Sequence, residues 1–251
     1  MINPDAPQTG VRAVDRALDI LLCFSRSETG LSLSEIAREV GLHKSTVHRL
    51  LTSMLSKGFV RKQPGTDKYV LGWTILELIH NVYHSDELTT AVLPVMTRLR
   101  DATSETVSLY IRSGTERIRI QAVESMEPVR NVATIGKTYP LYVGASGKVL
   151  LAYADAETLE QVLADPSIPA DFSREDLLTQ LENIRKDGYA ISVQERDSGA
   201  AALAAPIFGR HRFVAALSVS GPVTRFTQSK MSEYIEVVRE SAALITKLLS
   251  H

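Results

Sequence analysis

The stretch LSLSEIAREVGLHKSTVHRLLTSMLSKGFVRKQPGTDKYVLG, residues 31–72, decides the fold of the first part of this chain. Ser32 and Glu35 stand at the spacing of a capping box, which predicts a helix that begins there and runs to about Val40. Gly41 follows and permits the positive φ of a tight turn into a second helix. The sequence therefore predicts a helix-turn-helix in this region.

The second helix, at about residues 44–57, has two contrasting faces. Apolar side chains at helical spacing predict its buried face: Val47, Leu50, Leu51, Met54 and Leu55. The opposite face carries hydroxyls, an imidazole and a guanidinium, without a carboxylate: Ser45, Thr46, His48, Arg49, Thr52 and Ser53. Such a face can lie against phosphates and base edges without charge repulsion, which makes double-stranded DNA the first expected partner.

A β-hairpin is predicted directly after this helix. Gly58 ends the helix, and two short strands at residues 59–62 and 68–71 flank the turn sequence QPGTD at 63–67. Basic residues on both strands give the hairpin a basic tip. A helix-turn-helix followed by such a hairpin is a winged helix-turn-helix. We expect its second helix to enter the major groove and its wing to touch the DNA backbone.

Charge supports DNA binding locally and not globally. The chain has a formal net charge of −1, but residues 38–68 hold seven Lys or Arg and two carboxylates, whereas residues 81–251 have a net charge of −3. A basic patch confined to one region is typical of a DNA-binding domain. We expect DNA contacts from the two helices and the wing: Ser34, His43, Lys44, Ser45, Thr46, His48, Arg49, Lys62 and Lys68. The alternative is an amphipathic helical hairpin that docks on another protein.

Length and composition bound the other possibilities. With 251 residues, 44% of them hydrophobic, the chain suits one large or two small domains with a sizeable core. Its apolar runs are short, and residues 1–10 lack the basic and apolar regions of a signal peptide, so we expect a cytoplasmic protein without a membrane span. The six histidines show no metal-binding spacing, and the single cysteine, Cys23, is expected to be a buried thiol. We therefore expect no metal and no cofactor.

Further helices are predicted on both sides of residues 31–72. A first helix at 13–25 has five apolar side chains that we expect to face inward: Val14, Ala17, Leu18, Leu21 and Leu22. Residues 11–72 then form a winged-helix domain, residues 73–85 a linker helix, and residues 86–251 a second domain that begins with a helix. Because no Gly-, Ser- or Pro-rich segment separates these parts, we expect a stiff connection.

From residue 103 onward the period of the apolar residues changes from that of a helix to that of a strand. Alternation predicts a hairpin with one wet face at 106–112 and 117–123, and further strands at 129–135, 189–195, 201–208 and 213–220. Helices are predicted at about 155–164, 173–187 and 227–249, and a Gly-bearing loop enters a short helix within 139–153. Strands interrupted by helices indicate an α+β domain.

Two serines on the last predicted strand suggest a binding site. Ser218 and Ser220 lie two residues apart, so both hydroxyls face one side of the sheet and can reach one carboxylate or carbonyl group. The small side chains of residues 200–205 leave volume for a ligand, and the loop at 144–147 precedes a helix N-terminus that favours an anion. Each feature also has a structural alternative. The two serines could lie on the solvent face of an edge strand, and the loop at 144–147 could be an ordinary helix-capping turn. The charged residues 195–197 could form a solvated strand end.

Three segments resemble the IclR (isocitrate lyase regulator) family of bacterial transcription factors. They are GLHKSTVHRLL at 41–51, GASGKVLLA at 144–152, and GYAISVQERDSGAAALAAPIFGRHRFVAALSVSGPVTRFT at 188–227, and their order and spacing fit the family over about residues 11–250. The resemblance implies an N-terminal winged helix-turn-helix joined by a linker helix to a GAF-like α+β domain that binds a small effector. It also implies a homodimer or homotetramer.

The resemblance further implies where the effector binds. Ligand contacts of the family match Ala145, Ser146, Ser192, Ala202, Ser218 and Ser220, and Gly144 belongs to the same loop as the first two. The chain departs from some members, which place an acidic residue at the position of Ser192 and a cysteine at that of Ala202. These departures predict a roomier and less charged pocket wall.

Three classes of function remain open. Ser146 and Lys148 stand at an S-x-K spacing, but no partner base and no G-x-S-x-G motif accompany them, so we expect no catalysis. The expected function is a transcriptional regulator, a repressor or an activator, whose operator binding is controlled by a small organic acid or aromatic catabolite. The alternatives are an enzyme that acts on a small metabolite and carries an appended DNA-binding domain, and a protein–protein adaptor built on a winged helix.

Overall fold

The computed structural model describes residues 10–27, 29–85, 87–210 and 212–250. The chain divides into two compact units, Met1–Ser85 and Asp86–His251. Among the described residues, none of the helices combines the length and the apolar character needed to span a bilayer.

The N-terminal unit packs helices against a small antiparallel sheet. The helices are α1 (Arg12–Cys23), α2 (Leu33–Glu39), α3 (Lys44–Ser56) and α4 (Thr74–Ser85), and the strands are β1 (Leu31–Ser32), β2 (Val60–Lys62) and β3 (Lys68–Leu71). The strand order is β1–β3–β2. This arrangement confirms the predicted helix-turn-helix and its hairpin wing, and adds β1, which the apolar pattern does not indicate.

Local signals set the bounds of α2 and α3. The N–H of Glu35 donates to Oγ of Ser32 at 3.3 Å, and the carboxylate of Glu35 accepts the N–H of Ser32 at 2.7 Å, which confirms the capping box. Gly41 adopts the predicted positive φ, at 65°. The stripe of α3 that contains Val47 and Leu51 lies in the core of the unit.

The face that α1 buries differs from the prediction. Of the five side chains expected to face inward, Ala17 and Leu21 are half-buried, whereas three are largely exposed: Val14 at 54%, Leu18 at 52% and Leu22 at 66%. Ile20 is fully buried instead. The helix carries two apolar stripes, and only the stripe that contains Ile20 meets the core of the unit. The other stripe remains on its surface.

The C-terminal unit is built on an antiparallel sheet. Its strands are β4 (Thr106–Ser113), β5 (Glu116–Val123), β6 (Thr138–Pro140), β7 (Ala190–Val193), β8 (Ala200–Phe208) and β9 (Phe213–Pro222). They lie in the order β6–β5–β4–β9–β8–β7. The middle of the sheet therefore pairs β4 with β9, which are far apart in the sequence.

Helices cover both faces of this sheet. One face packs on α5 (Glu87–Thr103) and α9 (Gln228–Leu248), and the other on α6 (Ala145–Ala152), α7 (Ala156–Leu163) and α8 (Arg174–Asp187). The side chains of β9 alternate as predicted, with Leu217 and Val219 in the first core and Ala216 in the second. The N-terminal helix-turn-helix and the C-terminal α+β unit together confirm the predicted fold class.

The predicted strand at residues 129–135 is wrong. The backbone of this segment bonds to side chains and not to a neighbouring strand. The N–H of Ala133 donates to the carboxylate of Glu124 at 3.1 Å, and the carbonyl of Asn131 accepts the hydroxyl of Thr106 at 2.8 Å. The neighbouring strand, β6, begins only at Thr138.

Cys23 is a buried free thiol, as predicted. Its Sγ contacts the carbonyl oxygen of Asp19 at 3.2 Å. Burial and, secondly, the carboxylate of Glu39 raise the pKa of the Cys23 thiol to about 11.

We predict that Cys23 of the native protein reacts slowly with Ellman's reagent at pH 8. A pKa of about 11 leaves roughly a hundredfold less thiolate than an ordinary thiol has at that pH. Since the chain has one cysteine, the absorbance reports this site alone. The same protein unfolded in guanidinium is the control and should react at once. Equal rates in the native and unfolded samples would contradict the buried thiol.

Candidate nucleic-acid interface and effector pocket

The outer face of α3 is exposed and carries no carboxylate. Exposed side chains on it are those of Lys44, Ser45, His48, Arg49, Thr52 and Ser53, and Thr46 is half-buried. The hydroxyls of Thr52 and Ser53 donate to carbonyls one turn earlier in the helix. In the part of the chain that the structure describes, neither Lys44 nor Arg49 forms an ion pair. Their charges are therefore available to an anionic partner.

The N-terminus of α3 is also suited to an anion. His43 occupies the N-cap position, and its side chain forms no capping hydrogen bond. Its carbonyl accepts the N–H groups of Thr46 and Val47. The first turn is thus open to an outside acceptor such as a phosphate oxygen, which the helix dipole also favours. Ser34, at the start of α2, is exposed as well.

The wing is a short hairpin with a structured tip. The N–H of Gln63 donates to the carbonyl of Lys68 at 2.9 Å, and the hydroxyl of Thr66 accepts the N–H of Lys68 at 3.2 Å. Lys62 is exposed, and its ammonium lies 5.9 Å from the centre of the Tyr69 ring. The guanidinium of Arg61 lies over the ring of Trp73 at 5.1 Å. Both cations are held beside aromatic rings, with Lys62 at the turn end of β2.

All of the residues predicted to contact an effector surround one cavity of about 40 Å³: Gly144, Ala145, Ser146, Ser192, Ala202, Ser218 and Ser220. The pairing of β8 with β9 sets Ser218 opposite Ala204 and Ser220 opposite Ala202. Because β9 lies in the middle of the sheet and both serines are buried, the edge-strand alternative is wrong. A volume of 40 Å³ fits a carboxylate group or a few waters, and not a whole metabolite.

The wall of this cavity also contains four charged residues. Arg117, Glu195, Arg196 and Asp197 line it together with the small residues. That the wall is roomier and less charged than in the members with an acidic residue and a cysteine at the positions of Ser192 and Ala202 stays a prediction. Sequence reasoning missed these four residues because they reach the cavity through contacts between distant segments.

Glu195 connects the loop after β7 to the first turn of α6. One carboxylate oxygen lies 2.5 Å from the ammonium of Lys148, and the other accepts the N–H of Gly144 at 3.0 Å. Lys148 is buried and also donates to Gln180 and to the carbonyl of Ile191. Glu195 is exposed and follows the end of β7, as the interpretation of residues 195–197 as a solvated strand end expects, but its carboxylate is engaged on the inner side. The anion-favouring N-terminus of α6 already holds a carboxylate of this chain.

Two arginines of β5 lie buried beneath α6. Arg117 is 2% exposed and Arg119 is 1% exposed. The guanidinium of Arg117 donates to the carbonyls of Pro140 and Val143, the second at 2.7 Å, and its Nε has no hydrogen-bond partner among the described residues. A Cβ at Gly147 would lie 2.6 Å from the backbone carbonyl oxygen of Leu141 and would also overlap this guanidinium, so a glycine is required there. The predicted hairpin with one wet face is therefore wrong, because helices cover both faces of the sheet here.

Tyrosine rings accompany these arginines. Arg119 donates to the hydroxyl of Tyr110, with its Nε at 2.9 Å. The ring of Tyr139 lies near both guanidinium groups, and Arg196 stacks over it at 4.4 Å from the ring centre. Burial, followed by the charges of Arg196 and Arg119, lowers the pKa of Arg117 to about 10. Arg117 therefore keeps its charge at neutral pH.

A larger cleft adjoins the cavity. It has a volume of about 930 Å³, and its walls include Tyr139, Tyr142 and Phe172. The cleft and the cavity share Asn131 and residues 195–197 as lining. The side chain of Asn131 donates to the hydroxyl of Ser220 at 2.9 Å. The segment 195–197 thus forms a wall common to both spaces.

Two family models match the chain. The model for the IclR helix-turn-helix domain matches residues 13–64, and the model for the bacterial transcriptional regulator IclR C-terminal domain matches residues 80–247. Among curated relatives, the chain is 32% identical to the transcriptional repressor IclR of Escherichia coli, over 96% of this chain and 91% of that protein. It is 30% identical to the E. coli HTH-type transcriptional regulator XynR, over 96% and 98% of the two chains.

Solved structures have the same architecture. A crystal structure of an IclR transcriptional regulator from Silicibacter sp. matches with a TM-score of 0.85 and 25% identity, over 94% of this chain and 96% of that one. An IclR homologue from Microbacterium hydrocarbonoxydans, complexed with 4-hydroxybenzoate, matches with a TM-score of 0.80 and 27% identity, over 94% and 98% of the two chains. With family models that together cover most of its length, this chain belongs to the IclR family of bacterial transcriptional regulators.

Proposed function

We propose that this regulator binds operator DNA through α3 and the wing, and that a small organic acid bound in the cavity beside β9 controls that binding. The observation that carries the proposal is the convergence of Ser218, Ser220 and the α6 N-terminus on one buried space. Hydroxyl and backbone N–H donors converging there suit a carboxylate. Since its target is the chromosome, the protein acts in the cytoplasm.

The DNA contacts in this proposal come from α2, α3 and the wing. Arg49, on the exposed face of α3, reads base edges in the major groove, and Lys62 and Lys68 contact phosphates. The remaining contacts are assigned to Ser34, His43, Lys44, Ser45, Thr46 and His48. Exposure of the α3 face and its lack of carboxylates support this assignment.

The effector in this proposal is an organic acid. Its carboxylate accepts hydrogen bonds from Ser218 and Ser220 and lies near Gly144, Ala145 and Ser146 at the start of α6, with Ser192 and Ala202 completing the wall. The homologue complexed with 4-hydroxybenzoate supports this choice, because that ligand is a small aromatic acid. The adjoining cleft supplies room for the remainder of a metabolite.

Communication between the two sites requires a connection. We assign residues 11–72 to the DNA-binding domain, 73–85 to a linker helix and 86–251 to the effector domain. The helix α4, Thr74–Ser85, supports this division, because a helix transmits movement more stiffly than a coil does. Effector binding would shift the balance between arrangements of the DNA-binding domains.

The proposed assembly is a homodimer, or a homotetramer made of two dimers. Four apolar side chains, three on α1 and one at its N-cap, are exposed at helical spacing: Val11, Val14, Leu18 and Leu22. An apolar stripe of this kind on the surface of a unit is suited to a protein partner, and a second copy would present the same stripe. A dimer also brings two recognition helices to two half-sites of one operator.

The proposal does not include catalysis. The relatives named above are transcriptional regulators. Lys148, the base that an S-x-K pair would need, is engaged by Glu195, Gln180 and the carbonyl of Ile191. Its position favours a structural role at the start of α6.

We predict that Arg49→Ala weakens binding to a duplex selected by the protein from a random pool. The loss should be about 1–3 kcal/mol, with relaxed specificity at one base pair, because a bidentate contact to a base edge is removed. Fluorescence anisotropy at fixed salt measures the effect. Arg239→Ala, which removes an exposed arginine of α9, is the matched control. A loss that is equal for selected and shuffled duplexes would make Arg49 a phosphate contact, and no loss would contradict the assignment.

We predict that Lys62→Gln and Lys68→Gln each lower the salt dependence of DNA binding. The slope of log K against log salt should fall by about one for each lysine, since each variant releases one counterion fewer. Lys230→Gln, on α9, is the control and should leave the slope unchanged. Unchanged slopes in both wing variants would contradict contact between the wing and the DNA. A wild-type affinity that does not depend on salt would favour the protein–protein adaptor.

We predict that the double variant Ser218→Ala, Ser220→Ala weakens carboxylate binding by roughly two to four decades, since each hydroxyl contributes about 1.5–3 kcal/mol to a charged acceptor. Calorimetry with 4-hydroxybenzoate and a set of small carboxylates measures this, and DNA affinity without ligand shows that the variant is folded. The control is Ser108→Ala, a buried serine of β4 that pairs with Ser218 in register and does not line the cavity. Unchanged affinity with a lowered melting temperature would make these serines structural.

A further inference from the structure

The charges around the cavity do not balance. Two of the buried or half-buried cations have a carboxylate partner, since Lys148 pairs with Glu195 and Arg196 with Asp197. Within the described residues, Arg117 and Arg119 have none. Glu124 attracts Arg119 at longer range without forming an ion pair with it, and its carboxylate bonds to Arg130 and to the N–H of Ala133. Two buried positive charges are therefore left without an ion-pair partner among the described residues.

Both unpaired charges are deeply buried. Burying an ion without a partner is costly, and proteins ordinarily compensate it with an opposite charge. The hydrogen bonds of Arg117 go to neutral carbonyls and those of Arg119 to the neutral Tyr110, which satisfy donors and leave the charge in place. Each guanidinium also keeps one nitrogen without a hydrogen-bond partner: Nε of Arg117 and Nη1 of Arg119. The unpartnered nitrogens and the unpaired charge both favour an anion as the ligand of this region.

The position of Arg117 strengthens the case for an anion. Its guanidinium lies against Gly144 and Gly147, at the N-terminus of α6. A cation there is repelled by the helix dipole, so an anion in the cavity would be favoured by both. The charges of Arg196 and Arg119 act in the same direction, because each disfavours the charged form of Arg117 and lowers its pKa.

Arg119 reaches the cavity through Tyr110. It donates two hydrogen bonds to the Tyr110 hydroxyl, which leaves the proton of that hydroxyl free to donate elsewhere. Tyr110 lines the cavity beside Arg117. The guanidinium of Arg117 and the hydroxyl of Tyr110 thus face the same cavity, and Arg119 lies behind Tyr110.

We propose that the effector of this protein is a small dicarboxylate, with one carboxylate at Ser218 and Ser220 and the second neutralised by Arg117 and Arg119. This inference rests on the effector site proposed above and names its ligand more closely. The net charge of a dicarboxylate, −2, matches the two arginines that lack an ion-pair partner, whereas a monocarboxylate bound at the serines would leave both arginines without an anion. Because the cavity itself is small, the segment 195–197 yields toward the adjoining cleft when the ligand enters.

The test compares dicarboxylates with monocarboxylates of matched size on the full chain. The pairs are malonate and propionate, succinate and butyrate, glutarate and valerate, and terephthalate and 4-methylbenzoate. Calorimetry at constant ionic strength, adjusted with sodium chloride, gives each Kd. We expect at least one dicarboxylate to bind about tenfold or more tightly than its partner, since a charge-assisted contact is added.

Variants of Arg117 and Arg119 test whether these two arginines cause the preference for dicarboxylates. Arg119→Gln should reduce the preference to within about threefold, whereas Arg119→Lys, which keeps the charge, should retain most of it. Arg117→Gln should act as Arg119→Gln does. The matched control is Arg112→Gln, because Arg112 pairs with Arg117 in the β4–β5 register but bonds to Thr158 and Asp155 on the surface. Melting temperatures without ligand show which variants are folded.

Two results would overturn the inference. One is a wild-type protein that prefers no dicarboxylate in any pair, and the other is a folded Arg119→Gln protein that keeps the full preference. The same measurements, together with DNA affinity, test the proposed function separately from the dicarboxylate. If monocarboxylates bind equally well and still change DNA affinity, control of DNA binding by a small acid is supported and the preference for a dicarboxylate is contradicted. If a dicarboxylate binds preferentially and no ligand changes DNA affinity, the effector site stands and its control of DNA binding is wrong.

Discussion

The buried guanidinium of Arg117 beneath the first turn of α6 is the contact on which the effector domain depends. It donates to the carbonyls of Pro140 and Val143, and together with the backbone carbonyl of Leu141 it leaves room only for a glycine at position 147. The same group brings a positive charge to a helix N-terminus, where the dipole opposes it. The strand pairing, the glycine loop and the cavity are thus arranged around a charge that the described residues leave uncompensated.

In this structure, Glu195 takes the hydrogen bond at the start of α6. Its carboxylate occupies the N–H of Gly144 and pairs with Lys148, so the chain supplies its own anion at the position where an effector carboxylate is expected. A bound ligand would compete for these donors, and the segment 195–197 that separates the cavity from the larger cleft would move with Glu195. A ligand shifts the equilibrium between two conformations only if it binds one of them more tightly. A ligand carboxylate that replaces Glu195 would bind the conformation in which segment 195–197 has moved, and would therefore favour that conformation.

The DNA-binding half was predictable because its signals are local. The capping box of Ser32 and Glu35, the turn at Gly41 and the apolar stripe of α3 each depend on residues a few positions apart. Prediction failed where two local patterns compete, as on α1, whose second apolar stripe stays exposed. It failed at residues 129–135 too, where side chains such as those of Glu124 and Thr106 take the backbone hydrogen bonds.

The pocket was predictable in part. Alternation along β9 places Ser218 and Ser220 on one face, but the neighbours of β9 follow from a strand order that no local pattern contains. The roles of Arg117 and Glu195 were missed for the same reason, since their partners lie 26 and 47 residues away in the chain. Arginines at alternate positions of a strand ordinarily indicate a wet face, and only the packing of α6 over them reveals a buried charge.

A crystal structure of the full chain with the dicarboxylate that binds most tightly tests the central claim most directly. The account predicts ligand density with one carboxylate within hydrogen-bond distance of the Ser218 and Ser220 hydroxyls and the other beside Nε of Arg117 and the Tyr110 hydroxyl. It also predicts that Glu195 has left the N–H of Gly144. Density confined to the outer cleft or to another surface, with Glu195 still bonded to Gly144 and Lys148, would contradict it.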